Sequence, residues 1–173
     1  MLLNRTNLWV VSPSQWLLDI AFERGFSPDR GSVIANPVGM SVFEGLSRGV
    51  SREKLGIPEG KFMAVFVAAD CADLRKGYSD FSQVTRGIGI EAVAVGKPPS
   101  VKSDWISYTG ELRDPQRLRY YYSAADVMVF CSRADNYPNT IIECLASGTP
   151  VIGYGVGGVA SQLNDPYSVI VEP

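Results

Sequence analysis

The chain has 173 residues, one domain's worth of sequence and enough to bury a proper core. Its 16 basic and 18 acidic residues leave a formal charge of −2, which excludes a polycationic nucleic-acid binder. Histidine is absent, so Ser-His-Asp and Cys-His nucleophile systems and imidazole metal sites are excluded together.

No apolar run is long enough to span a bilayer; 62–69 is typical of the longest. Leu2, Leu3 and the stretch 8–11 are interrupted by Asn4, Arg5 and Asn7, so no secretory signal is expected. Cys71, Cys131 and Cys144 are odd in number and widely separated, the pattern of reduced thiols in a cytosolic protein.

In chain order, a short strand is predicted over 8–11. Ser12-Pro13-Ser14-Gln15 then opens a helix reaching about Arg24, with Ser12 as cap, Pro13 at the first position and Gln15 completing a capping box. A second short strand over 32–35 is broken by Asn36-Pro37. Residues 39–60 read as a connector with a small helix near 52–55, and 62–69 as a buried strand. A loop and a helix over about 78–87 follow, then strands over 91–95, 104–108 and 127–131. Asp114-Pro115 starts the helix between the last two, and its tail packs Tyr120, Tyr121 and Tyr122.

This alternation predicts an α/β fold, a Rossmann-like parallel sheet flanked by helices. Right-handed crossovers place ligand-contacting loops at the carboxyl ends of the strands, and Lys76, Asp135 and Gly157 fall in such loops. Neither an internal repeat nor a low-complexity tract is present.

The most informative stretch is Ser132-Arg-Ala-Asp-Asn-Tyr-Pro-Asn-Thr-Ile-Ile-Glu-Cys-Leu-Ala-Ser-Gly-Thr-Pro-Val-Ile-Gly153. It places Asp135 just ahead of a helix start and Glu143 about two turns inside, followed by a Gly-Thr-Pro exit into an apolar strand. Two carboxylates separated by helix N-terminal amides suit a ligand with sugar hydroxyls and phosphate. Carboxylates accept hydroxyl protons, while free N–H groups and the helix dipole favour anionic oxygen. The plainer alternative is that Asp135 and Asn136 cap the helix and Glu143 is an ordinary solvated residue.

Other features favour structural readings. Gly153-Tyr-Gly-Val-Gly-Gly158 has dinucleotide-fingerprint character, but it follows a late strand and lacks the acid expected about 20 residues on. The tyrosine run and Trp105 fit core and rim packing better than carbohydrate stacking. Arg113, Arg117 and Arg119 fit a solvated helix face beside Glu111 and Asp114 better than a lipid or phosphate patch.

Four segments, in register, resemble the donor-binding half of retaining glycosyltransferases of the GT-B type, family 4 (group 1), which have two facing Rossmann-like domains. They are Asn36-Pro-Val with Phe43 downstream, Arg75-Lys-Gly77, Tyr121-Tyr-Ser-Ala-Ala-Asp-Val-Met-Val-Phe130, and the run from Asp135 to Val151. Gly157-Gly158 closes the set. The resemblance implies that Asp135 lies near the transferred sugar and that Glu143 binds the ribose hydroxyls of the nucleotide. It implies that Asn136, Tyr137, Pro138, Asn139 and Thr140 form the loop whose amides face sugar and diphosphate, with Gly157 and Gly158 beside it. Lys76 matches the lysine that neutralises the departing diphosphate, with Arg75 adjacent. Asp135 and Lys76 are thus the expected catalytic pair.

The implied reaction is transfer of a hexosyl group from a nucleotide-sugar to a glycan or lipid-linked acceptor, with no metal and no cofactor besides the donor substrate. Departures from the family pattern are Cys71 where many relatives have arginine, Ser161 where an acid is frequent, and Gly39 in place of an aspartate. Arg75 either contributes to the diphosphate site or is a solvated surface charge.

The corresponding organisation assigns 1–33 to the last strand and helix of an N-terminal domain, 34–60 to an interdomain connector, and 61–173 to a nucleotide-sugar-binding domain truncated at its C-terminus. Acceptor binding then falls to a missing N-terminal domain or a partner chain. A cytoplasmic location is expected, with peripheral association at the inner membrane face as a family-level extension. The alternatives are a non-catalytic nucleotide-sugar-binding module or inactive fragment, and a nucleotide-sugar epimerase, against which the Asn-x-Pro-Asn-Thr form and the lack of histidine both count.

Overall fold

A computed structural model describes residues 8–173. The readings of Leu2 and Leu3, and of 1–7 as part of the first segment, lie outside the described residues.

The first described segment is a strand–helix–strand unit. β1 (Val10–Ser12) pairs in parallel with β2 (Gly31–Val33), and α1 (Gln15–Glu23) links them. The cap of α1 is Ser14, whose Oγ accepts the Leu17 N–H at 3.2 Å. The expected cap, Ser12, is still the last residue of β1, held opposite Val33 by the ladder, so it cannot also turn into the helix. Its hydroxyl donates to the Ser14 carbonyl at 2.8 Å instead, and Pro13 precedes the helix rather than opening it.

The connector carries two helices rather than one, α2 (Met40–Phe43) and α3 (Arg48–Leu55). The earlier start of α3 is a tertiary effect, because Gly49 and Val50 are poor helix formers. Arg52 is 1% exposed and donates to the carbonyls of Ala124, Pro58, Glu59 and Lys61 and to the Asp126 carboxylate. An ordered guanidinium with that many acceptors holds the helix where propensity does not.

The remaining elements form one layered unit. In order they are β3 (Met63–Asp70), α4 (Tyr78–Thr85), β4 (Glu91–Lys97), β5 (Ile106–Tyr108), α5 (Pro115–Ala124), β6 (Val127–Phe130), α6 (Asn139–Ala146), β7 (Val151–Tyr154), α7 (Val159–Gln162) and β8 (Val169–Val171). The six strands are parallel and lie in the order β5-β4-β3-β6-β7-β8. The β3 side chains alternate as the pleat requires. Met63 and Val65 enter one apolar cluster with Tyr122, Met128, Ile141 and Val151, while Ala64, Phe66 and Ala68 enter the opposite one with Phe81 and Ala94.

The chain builds outward from β3 to β4 and β5, then returns to add β6 on the other side. The loops after β3 and β6 therefore diverge at a topological switch point, where parallel sheets open a crevice at their carboxyl ends. The strand expected over 104–108 shrinks to β5 because 98–105 must carry the whole β4–β5 crossover, which contains no helix. Among the described residues no helix is long and apolar enough to cross a membrane.

Candidate functional site

Lys76 ends a 3-10 turn (Leu74–Lys76) after β3, Asp135 lies in the loop between β6 and α6, and Gly157 follows β7. The first two meet at the switch point: Lys76 Nζ lies 2.8 Å from Asp135 Oδ2, with both side chains partly buried. Their loops are also joined through the backbone. The Arg75 carbonyl accepts the Arg133 N–H at 2.7 Å and the Ser132 hydroxyl at 3.1 Å. Arg75 itself turns away; its guanidinium pairs with Asp73 and is 73% exposed, so adjacent basic residues point to different places. Cys71, which stands where the resemblance implies an arginine in many relatives, is 3% exposed, and burial pushes its thiol up to about 11, so it supplies no charge.

The helix after this loop begins at Asn139, three residues later than a cap at Asp135 would give and two later than a cap at Asn136 would give. Pro138 is its cap and makes no side-chain cap bond. Asp135 Oδ1 accepts the N–H of its neighbour Asn136 at 3.0 Å, which removes one of the amides expected to face a ligand. The capping alternative is therefore not what the structure contains. Glu143 is correspondingly one turn inside α6 rather than two, four residues from its start.

Nor is Glu143 an ordinary solvated acid. It is half-buried, and its Oε2 accepts the Tyr122 hydroxyl at 3.1 Å. Burial pushes its carboxyl up from the ordinary 4.5, and the Tyr122 hydrogen bond partly offsets that rise.

The loop 135–139 is held from several sides. A Cβ on Gly157, whose φ is +58°, would lie 2.0 Å from the Asp135 carbonyl oxygen, and one on Gly158 would lie 1.9 Å from that of Asn136. Only glycine permits this approach. The Ser14 hydroxyl donates to the Asn136 side-chain oxygen. Asn36 Nδ2 donates to the Tyr137 carbonyl at 3.1 Å and to Asn139 Oδ1 at 3.0 Å, and Gln162 Nε2 donates to the Pro138 carbonyl at 3.2 Å. Thr140, half-buried, completes the first turn of α6.

Ser14, Gln162 and Tyr122 are site neighbours that sequence reasoning missed. For Tyr122 a signal existed, since a tyrosine in an apolar core needs a partner for its hydroxyl. Ser14 and Gln162 carried none, because their partners lie 122 and 24 residues away.

The remaining sequence readings resolve as packing. Tyr122 is fully buried, Trp105 donates to the Ser82 carbonyl under Arg86, and Arg113 pairs with Glu111. An apolar groove of about 630 Å³, lined by Cys71, Leu74, Tyr78, Arg86, Val101 and Trp105 among others, opens beside the helix-free β4–β5 crossover. It includes none of Lys76, Asp135 and Glu143, so shape and charge select different places, and the charged crevice is the one with convergent chemistry. Among the described residues no group of three or more His, Cys, Asp or Glu side chains gathers into a metal-ligating cluster.

Comparison with known proteins bears on the family and the fold. The family model described as Glycosyl transferases group 1 matches residues 63–173. A D-inositol 3-phosphate glycosyltransferase of Streptosporangium roseum is 31% identical over 186 residues, an alignment covering 92% of this chain and 41% of that relative. Among solved structures, a sucrose-phosphate synthase of Thermosynechococcus elongatus superposes with a TM-score of 0.79 at 22% identity, covering 95% of this chain and 45% of that one. The Anabaena protein HepE in complex with UDP gives a TM-score of 0.81 at 16% identity, covering 99% and 52%. These two structures share the fold. The chain thus spans about two fifths of that curated relative's length and about half of each structural neighbour's.

Proposed function

The chain belongs to the group 1 glycosyl transferases, and from that premise we propose that it forms the donor-binding half of a retaining, family 4 hexosyltransferase. The observation that carries the reading is the pairing of Lys76 with Asp135 at the switch point, with half-buried Glu143 one helical turn into α6.

In this reading the donor is a nucleoside-diphosphate sugar; UDP, the nucleotide part of such a donor, is the ligand named for the Anabaena neighbour. Glu143 accepts hydrogen bonds from the ribose hydroxyls. Asp135 orients the sugar. Lys76 exchanges its contact with Asp135 for the diphosphate, whose charge grows as the glycosidic bond breaks, so a fixed cation stabilises the transition state more than the ground state. The uncapped first turn of α6 offers N–H groups to the same phosphates. An oxocarbenium-like sugar then receives the acceptor hydroxyl, with the leaving diphosphate relaying its proton.

Residues 34–60 serve as the connector and 61–173 as the nucleotide-sugar domain, while the glycan or lipid-linked acceptor is held by a further domain or partner chain, at the cytoplasmic face of a membrane. Buried, uncharged Cys71 favours a second reading in which the donor is bound without turnover.

Calorimetric titration of UDP-, GDP- and ADP-sugars into the chain tests the assignment, with Glu143→Ala as control. Selective binding of one nucleotide, weakened by about tenfold or more in a folded Glu143→Ala variant, is the expected result. Equal affinity in wild type and variant removes Glu143 from the site, and no binding at all removes the donor-site reading.

A further inference from the structure

We propose that Tyr122 is a positioning residue for the donor site: its hydroxyl holds one oxygen of Glu143 so that the other is presented to the vicinal diol of the donor's ribose. This deepens, and rests on, the assignment of Glu143 to the ribose.

Tyr122 lies in the last turns of α5 and is fully buried, against the neighbouring helix that carries Glu143. Phe43 of the connector packs on its ring at 6.1 Å between centroids in a tilted arrangement, and the Tyr122 backbone carbonyl receives the Thr149 hydroxyl at 2.7 Å, which holds the end of α5 in place. A tyrosine side chain has only two rotatable bonds to order, and here the surrounding core has already ordered both.

Glu143 has three rotatable bonds and sits half-buried at the mouth of the crevice. Of its two carboxylate oxygens, only Oε2 has a hydrogen-bond partner among the described residues, at 3.1 Å. A single donor on one oxygen selects one orientation of the carboxylate plane and leaves Oε1 for a hydroxyl pair. Binding a diol requires that orientation in advance; a carboxylate free to rotate would lose it on each encounter. The bond also partly offsets the upward push that burial gives the carboxyl, and an ionised carboxylate is the stronger acceptor for hydroxyls. Glu143 and Tyr122 reach each other from α6 and α5, while Phe43 reaches the same ring from α2, so the carboxylate's orientation depends on three elements.

The experiment uses the chain as described and a panel of UDP, GDP and ADP. The nucleotide that binds, and its 2′,3′-dideoxy counterpart, are titrated into wild type and Tyr122→Phe, with circular dichroism and thermal unfolding as the check on folding. The expected result is that the ribose form binds about tenfold more weakly to Tyr122→Phe while the dideoxy form, which has no diol for Glu143, is unchanged. The preference for ribose then falls by the same factor. Equal weakening of both ligands indicates general damage to the pocket and overturns the proposal, as does unchanged binding of both.

Phe43→Leu provides a second variant that keeps the hydroxyl but removes the ring packed on it. It is expected to lose several-fold of the ribose preference without affecting the dideoxy form. Should Tyr122→Phe not fold, full retention of the preference in Phe43→Leu overturns the proposal. Failure of the wider donor-site reading looks different. Wild type then binds none of the three nucleotides, or binds ribose and dideoxy forms equally well, and the inference falls with it.

Discussion

At the residue scale, Glu143 is a side chain whose functional setting costs stability. Its folded-state pKa lies above the ordinary 4.5 because burial disfavours the charge. The native state therefore holds a proton that the unfolded chain releases first as pH rises. Stability from this group is greatest below the unfolded pKa and is lost as pH climbs through the folded one. Glu143→Gln abolishes that titration while keeping an acceptor for Tyr122. The variant is expected to melt above wild type at about pH 7, the gap closing towards about pH 4, with scanning calorimetry as the measurement. Nucleotide affinity is expected to move the other way, since a neutral amide is the poorer acceptor. A variant less stable than wild type at neutral pH would contradict the raised pKa.

At the element scale, the entrance to α6 depends on contacts made by distant loops. Its loop runs without a side-chain cap, and its shape comes from Gly158, Asn36 and Gln162 pressing or bonding onto its backbone. Gly158→Ala places a methyl 1.9 Å from the Asn136 carbonyl oxygen, a backbone atom that cannot swing aside like a flexible side chain. The loop must shift, at a cost of about 1–3 kcal/mol in urea unfolding. Because that shift displaces Asp135 and Asn136 directly, nucleotide-sugar binding is expected to weaken more than Gly158→Ala lowers stability elsewhere in the sheet. Unaltered stability and affinity would show that the loop has slack the contacts do not suggest.

At the scale of the whole molecule, the segment before the sheet is tied to it at several separated points. Ser14 and Asn36 reach the site loop, Phe43 reaches Tyr122, and Arg52 gathers carbonyls from the α3–β3 loop and the end of α5 around Asp126. Asp126 in turn accepts the Met63 N–H at 2.8 Å, so the same carboxylate anchors the start of the central strand. Arg52→Met takes the buried guanidinium away from Asp126 and four carbonyls, while Asp126 keeps its pair with Arg48. A loss of about 3–5 kcal/mol in denaturant unfolding is expected. A loss below 1 kcal/mol would mean that water replaces the guanidinium and that the connector is less firmly seated.

The alternation of apolar runs with capped polar stretches carried the fold class and nearly every element of the sheet, because period and turn chemistry are local properties. The three loops holding Lys76, Asp135 and Gly157 were legible for the same reason: a parallel sheet sends such loops to one end. What proximity in the chain could not convey was decided by tertiary structure. The ladder holds Ser12 in β1 and moves the cap to Ser14, and a buried guanidinium extends α3 back to Arg48. Two glycines and Asn36 hold the site loop, so α6 starts at Asn139. The Tyr122 bond to Glu143 spans 21 residues between two helices, and whether a buried hydroxyl finds a carboxylate there depends on how those helices pack. Local pattern specifies which elements form; the desolvation and hydrogen bonding of particular side chains, which set the chemistry of the crevice, exist only once the elements are assembled.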